Sequence, residues 1–111
     1  MRWTMSNQTN GAGDTALDDI RPTDEGFALT VRVLNEQGLH ARPAAKLAQT
    51  AQKFPCAISI STGGETVDAK SILDILTLAA GHGAELELRA SGPEAQVALG
   101  ELGALIRNRF R

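Results

Sequence analysis

His40 is followed two residues later by Arg42, and both lie in Gly38-Leu39-His40-Ala41-Arg42-Pro43-Ala44-Ala45, a stretch that reads as a loop running into a helix. The N–H groups of a helix's first turn have no intrahelical acceptor, and with the positive end of the dipole they form a ready anion site. A neutral imidazole placed there has a nucleophilic nitrogen near neutral pH. Attack on a donor phosphoryl group would leave a phosphoramidate, which stays reactive because protonation turns the ring into a good leaving group. Arg42 offers a planar, permanently charged fork that matches phosphate oxygens, and Pro43 is tolerated in a first turn where no N–H is needed. The segment predicts a phosphohistidine site at His40 with Arg42 beside it. Transfer there would rest on positioning and charge neutralisation more than on proton relays.

The elements that must hold these residues follow from periodicity. Phe27, Leu29, Val31 and Val33 alternate with Ala28, Thr30 and Arg32, the period of a half-buried strand. After a turn over Asn35 to Gly38, a helix starts at His40, with Ala44, Leu47, Ala48 and Ala51 on one face, and closes at Phe54-Pro55. Ile58 and Ile60 alternate with serines, Gly63-Gly64 supplies a turn that tolerates positive φ, and Val67 and Ala69 resume the alternation, which predicts an antiparallel hairpin. Ser71 caps a second helix, with Asp74 three positions on and Ile72, Ile75, Leu76 and Ala79 on its inner face. Ala84, Leu86, Leu88 and Ala90 give a fourth strand with one apolar face. Ala95, Ala98, Leu99, Leu102 and Ile106 form the stripe of a last helix, which Gly100 and Gly103 weaken by up to about 1 kcal/mol each relative to Ala. The order β-α-β-β-α-β-α with one-faced strands predicts a two-layer α+β sandwich, helices on one side and the other side in water.

A chain of 111 residues has room for one core. Residues 1–26 carry two arginines against five carboxylates, and the rest of the chain nine basic against eight acidic residues, so the overall charge of −2 comes from the beginning of the chain. Neither part is basic enough to suggest nucleic acid. The polar, Gly-containing run Ser6 to Gly13 cannot repay the entropy of ordering, so 1–26 is expected as a disordered tail before a domain over 27–111. No apolar run is long enough to span a membrane and the first residues lack the apolar stretch of a secretory signal, which predicts a cytoplasmic chain with no membrane insertion. Cys56 has no second cysteine to pair with and is expected as a small packed residue. His82, between two glycines, is expected on the surface, apart from any cationic or carboxylate cluster. Two histidines and one cysteine scattered in this way make no zinc set, and no metal or organic cofactor is called for.

Gly38 to Ala44, followed about thirty residues later by Ala69-Lys70-Ser71-Ile72-Leu73, resembles the HPr family, the histidine-containing phosphocarriers of the bacterial phosphoenolpyruvate-dependent phosphotransferase system; the likeness covers roughly Phe27 to Phe110. The resemblance implies a four-stranded antiparallel sheet in the order 1-4-2-3 with three helices on one face. It implies phosphorylation of His40 on Nδ1 by phospho-enzyme I, onward transfer to enzyme II components such as enzyme IIA in sugar uptake, and phosphoenolpyruvate used by enzyme I rather than bound by this chain. It implies regulatory phosphorylation of Ser71 by a kinase of the HPr kinase/phosphorylase type. Partner docking is expected around Leu39, Ile72 and Leu73, where Lys46, Lys53 and Lys70 could meet an acidic face, on a carrier expected to be a monomer. Two alternatives stand beside sugar uptake. One is a nitrogen-branch regulatory carrier, of which Ser91-Gly92-Pro93-Glu94 is reminiscent; the other is a regulatory binding module acting through Ser71, which would not need the His40 nucleophile. Ser71 serves as a helix cap on either reading.

Overall fold

A computed structural model describes residues 19–111. Its elements are β1 (Arg21–Pro22), β2 (Phe27–Arg32), α1 (Ala41–Gln52), β3 (Ala57–Thr62), β4 (Glu65–Asp68), α2 (Ile72–Thr77), β5 (Glu85–Ser91) and α3 (Ala95–Arg107). The strands form one antiparallel sheet in the order β1-β2-β5-β3-β4. Without β1 this is the expected 1-4-2-3 arrangement, so the fold is the α+β open-faced sandwich the sequence and the resemblance predict, with one short strand added at an edge.

Alternation makes the two faces. Leu29, Leu88, Ile60 and Val67 stand in one cross-strand row on the inner face, and Thr30, Glu87, Ser61 and Thr66 in the adjoining outer row. The inner row meets α3, against which α1 packs, and the stripe Ala95, Ala98, Leu99, Leu102 and Ile106 is buried as expected. On the outer face Arg21 reaches past Thr30 to Glu87, and Arg89 hydrogen-bonds the same carboxylate at 3.1 Å. These guanidiniums, the Arg89 hydrogen bond above all, hold the Glu87 carboxyl below the usual carboxylate range. Cys56 is buried beside β3.

Two expectations change. The tail does not extend to residue 26: Ile20 is buried in the core, Arg21 pairs with Ala28, and Arg107 on α3 bridges to Asp19 at 3.1 Å. A two-residue strand is too short to show alternation, and Pro22, with no N–H to give a ladder, fits only an edge. The remainder of the expected tail, 1–18, lies outside the described residues. The inner face of α2 also differs, because the helix stops at Thr77 and Ala79 turns to φ 50°. That turn directs Leu78 and Ala80 into the core beside Ile75 and leaves Ala79 outside, while Ile72, the first residue of the helix, is exposed.

Candidate functional site around His40

The loop between β2 and α1 is fastened to the loop after α2. Gly38 takes φ 70° and closes a turn by donating its N–H to the Asn35 carbonyl at 3.1 Å, and the Asn35 side-chain amide donates to the Gly38 carbonyl. Leu39 N–H then donates to Ala80 O at 2.9 Å, so the residue before His40 is fixed to a segment far away in sequence. His40 follows as the N-cap of α1 in extended conformation, with its carbonyl accepting from Ala44 N–H at 3.0 Å and its ring making no capping hydrogen bond. Because Pro43 has no N–H, only the Ala41 and Arg42 N–H groups of the first turn are left for an incoming acceptor. No acidic residue occupies that turn, and Pro43 is buried while His40 and Arg42 are exposed. Arg42 makes no ion pair with any described residue. An exposed nucleophile, an unspent guanidinium and two free N–H groups at one helix start can receive a phosphoryl group.

The other expected residues distribute differently. Ser71 caps α2 by accepting from Asp74 N–H at 3.2 Å, while its own N–H goes back to Asp68 O, so the cap is formed by the hydroxyl alone. Ser71 does not line the cleft beside His40. The start of α2 is tied to the far end of α1, where Gln52 Nε2 donates to Lys70 O and Lys70 Nζ to Phe54 O. Ile72 and Leu73 are 37% and 75% exposed, as docking residues must be, but Leu39 is only 4% exposed and cannot present a side chain to a partner. Its apolar character serves the core, where the bond to Ala80 draws it in. The three lysines expected to meet an acidic face are engaged within the chain: Lys46 Nζ donates to Phe110 O at 2.7 Å, Lys53 pairs with Glu101 at 3.2 Å, and Lys70 holds Phe54 O at 2.7 Å.

His82 corrects a further expectation. It is exposed, yet it shares an open cleft of about 580 Å³ with His40, Asn35, Glu36, Arg109 and Arg111. Asn35 Oδ1 at this cleft is a buried acceptor with no donor among the described residues. Spacing carries no sign of the grouping, since it joins the β2–α1 loop, the loop before β5 and the turn after α3. A second cleft, of about 550 Å³, involves Phe27, Ile58, Val67 and Lys70 and contains neither His40 nor Arg42.

Comparison with known proteins agrees with this geometry. Residues 28–108 match the family described as PTS HPr component phosphorylation site. The phosphocarrier protein HPr of Cupriavidus necator is 47% identical over 78 residues, covering 70% of this chain and 88% of that protein. The HPr of Treponema pallidum is 46% identical over 81 residues, 73% of this chain and 92% of that protein. Among solved structures, HPr-C-His from Thermoanaerobacter tengcongensis superposes with a TM-score of 0.73 at 38% identity, over 75% of this chain and 93% of that one.

Proposed function

Since the chain belongs to the HPr family of phosphotransferase-system phosphocarriers, we propose that it takes a phosphoryl group from phospho-enzyme I onto His40 and passes it to enzyme II components of a sugar phosphotransferase system. The observation that carries this reading is His40 itself, an exposed helix N-cap whose ring is not used in capping and whose neighbouring N–H groups are free. In the forward step His40 Nδ1 attacks phosphorus in line, the N–P bond of the donor breaks, and the donor imidazole leaves with the electron pair. The Ala41 and Arg42 N–H groups and the Arg42 guanidinium take up charge on the phosphoryl oxygens as they move. Transfer to the acceptor reverses these roles. Such a carrier would work in the cytoplasm, and no helix among the described residues is long and apolar enough to cross a membrane.

Ser71 supports a second, regulatory role. A phosphate there would add about two negative charges at a helix start beside exposed Ile72 and Leu73, and away from the His40 cleft. It would then act on docking and not on the nucleophile. The test of the primary role is incubation with enzyme I and phosphoenolpyruvate, read by intact-protein mass spectrometry. Wild type is expected to gain one acid-labile, alkali-stable phosphoryl group and His40→Ala none; undiminished labelling of the variant would refute the assignment.

A further inference from the structure

We propose that Arg109, Arg111 and His82 form a cationic wall that holds the phosphoryl group carried on His40, an assignment that rests on the phosphocarrier reading and names the groups that bind its charge. The turn after α3 is built to present them. Arg109 and Phe110 both adopt left-handed backbone, with φ of 58° and 65°, a conformation unfavourable for a side-chain-bearing residue. Phe110 fixes this arrangement. Its ring is buried in the core, its N–H donates to Leu105 O at 2.9 Å, and its carbonyl accepts from Lys46 Nζ at 2.7 Å. Arg109 and Arg111 flank this anchor and are exposed, lining the same cleft as His40. Because Lys46 stands on α1, the turn is fastened to the helix that His40 caps.

The charges are available. Arg21, Arg32, Arg89 and Arg107 each pair with a carboxylate, whereas neither Arg109 nor Arg111 makes a side-chain bond to any described residue. Among the side chains that line the cleft one carboxylate, Glu36, stands against the two arginines, so the side-chain balance favours an anion even with both histidines neutral. A phosphoryl group on His40 would enter this space with two negative charges. A guanidinium matches its oxygens in a fork, as an ammonium does not. His82, entering from the loop before β5, adds a hydrogen-bond donor in its neutral form and a third cation when protonated.

The decisive measurement is an inorganic phosphate titration at low ionic strength, following the His40 and His82 ring signals by NMR. It compares wild type, Arg109→Gln/Arg111→Gln, and a charge-matched control, Lys53→Gln/Arg89→Gln, whose sites lie outside the cleft. Exposed ion pairs correspond to about two- to fivefold in affinity each, so the double cleft variant is expected to bind phosphate about fivefold or more weakly and the control within about twofold of wild type. Salt near 0.5 M, where the screening length falls to about 4 Å, should remove most of the difference. Equal affinity in wild type and the cleft variant, an equal loss in the control, or no saturable binding by wild type would each overturn the proposal. Phosphorylation by enzyme I is measured on the same samples. Labelling at His40 with unchanged phosphate affinity would defeat the wall and spare the carrier, while absence of labelling in wild type would defeat the carrier reading and leave the titration to decide the anion site.

Discussion

Replacing Gly38 by Ala tests whether the loop before His40 is set by its close approach to the loop after α2. A Cβ on Gly38 would lie 2.4 Å from Ala80 O and 2.7 Å from Gly81 Cα, both backbone atoms that cannot rotate away. The residue must also keep φ near 70°, which costs Ala about 1–2 kcal/mol. Relief of the clash requires the two loops to part, which strains or breaks the 2.9 Å bond from Leu39 N–H to Ala80 O, worth about 1 kcal/mol, and loosens the burial of Leu39. With about 1 kcal/mol more for partly exposing Leu39, the expected loss is about 3–4 kcal/mol. Gly63→Ala is the control, because Gly63 has φ 57° but no atom within 4 Å of an added Cβ, so only the backbone cost of about 1–2 kcal/mol remains. At about 4–8 °C per kcal/mol for a domain of this size, Gly38→Ala should lower the melting temperature by about 12 °C or more and Gly63→Ala by roughly 4–16 °C, with the former always the larger. Thermal melts followed by circular dichroism, with urea titrations for the free energies, measure both. Phosphorylation well below either melt should slow in Gly38→Ala alone, since an ångström of misplacement next to a nucleophile can cost about a hundredfold in rate. Equal destabilisation by the two substitutions would refute the reasoning.

Arg42→Lys should fold normally and transfer phosphate more slowly than wild type, because an ammonium cannot fork across two phosphoryl oxygens; rapid-quench kinetics in both directions would show equal rates if the arginine is only a surface charge. Ser71→Ala should lose about 1 kcal/mol with near-normal transfer, since the Asp74 N–H loses its acceptor, as urea titrations will measure. Ser71→Asp should keep the cap and accept phosphate from enzyme I much more slowly, and initial rates equal to wild type would remove the regulatory role. Glu87, whose carboxyl is held low by Arg89 and Arg21, stabilises the fold above its ordinary value near pH 4.3, and this contribution is lost as pH falls through the lower native value. Glu87→Gln should therefore flatten the acid limb of a stability profile from about pH 6 to pH 2, by a small amount because the pair faces water.

Whatever in this molecule depends on neighbours in the chain could be read from the sequence. Alternation over Phe27 to Arg32 and Glu85 to Ser91 gave the strands, because successive side chains must face opposite ways. The Ser71 cap spans three residues and needed no tertiary information. Contacts that close over distance were not legible. The resemblance places Leu39 at a docking surface, and nothing local reveals its burial because its bond to Ala80 bridges the chain through space; Ile20 to Pro22 read as tail because a two-residue strand has no period. The His40 motif was visible as a local pattern, but the meeting of His82, Arg109 and Arg111 beside it depends on where three separate loops end.

The outermost strands of the sheet, β1 and β4, are two and four residues long, and one ends in Pro22 while the other begins and ends with a carboxylate, Glu65 and Asp68. A foreign strand seeking to extend the ladder meets a missing donor on one border and, on the other, a span too short to repay its ordering, flanked by charge. Among the described residues, both borders of the sheet thereby disfavour lateral β-pairing between copies.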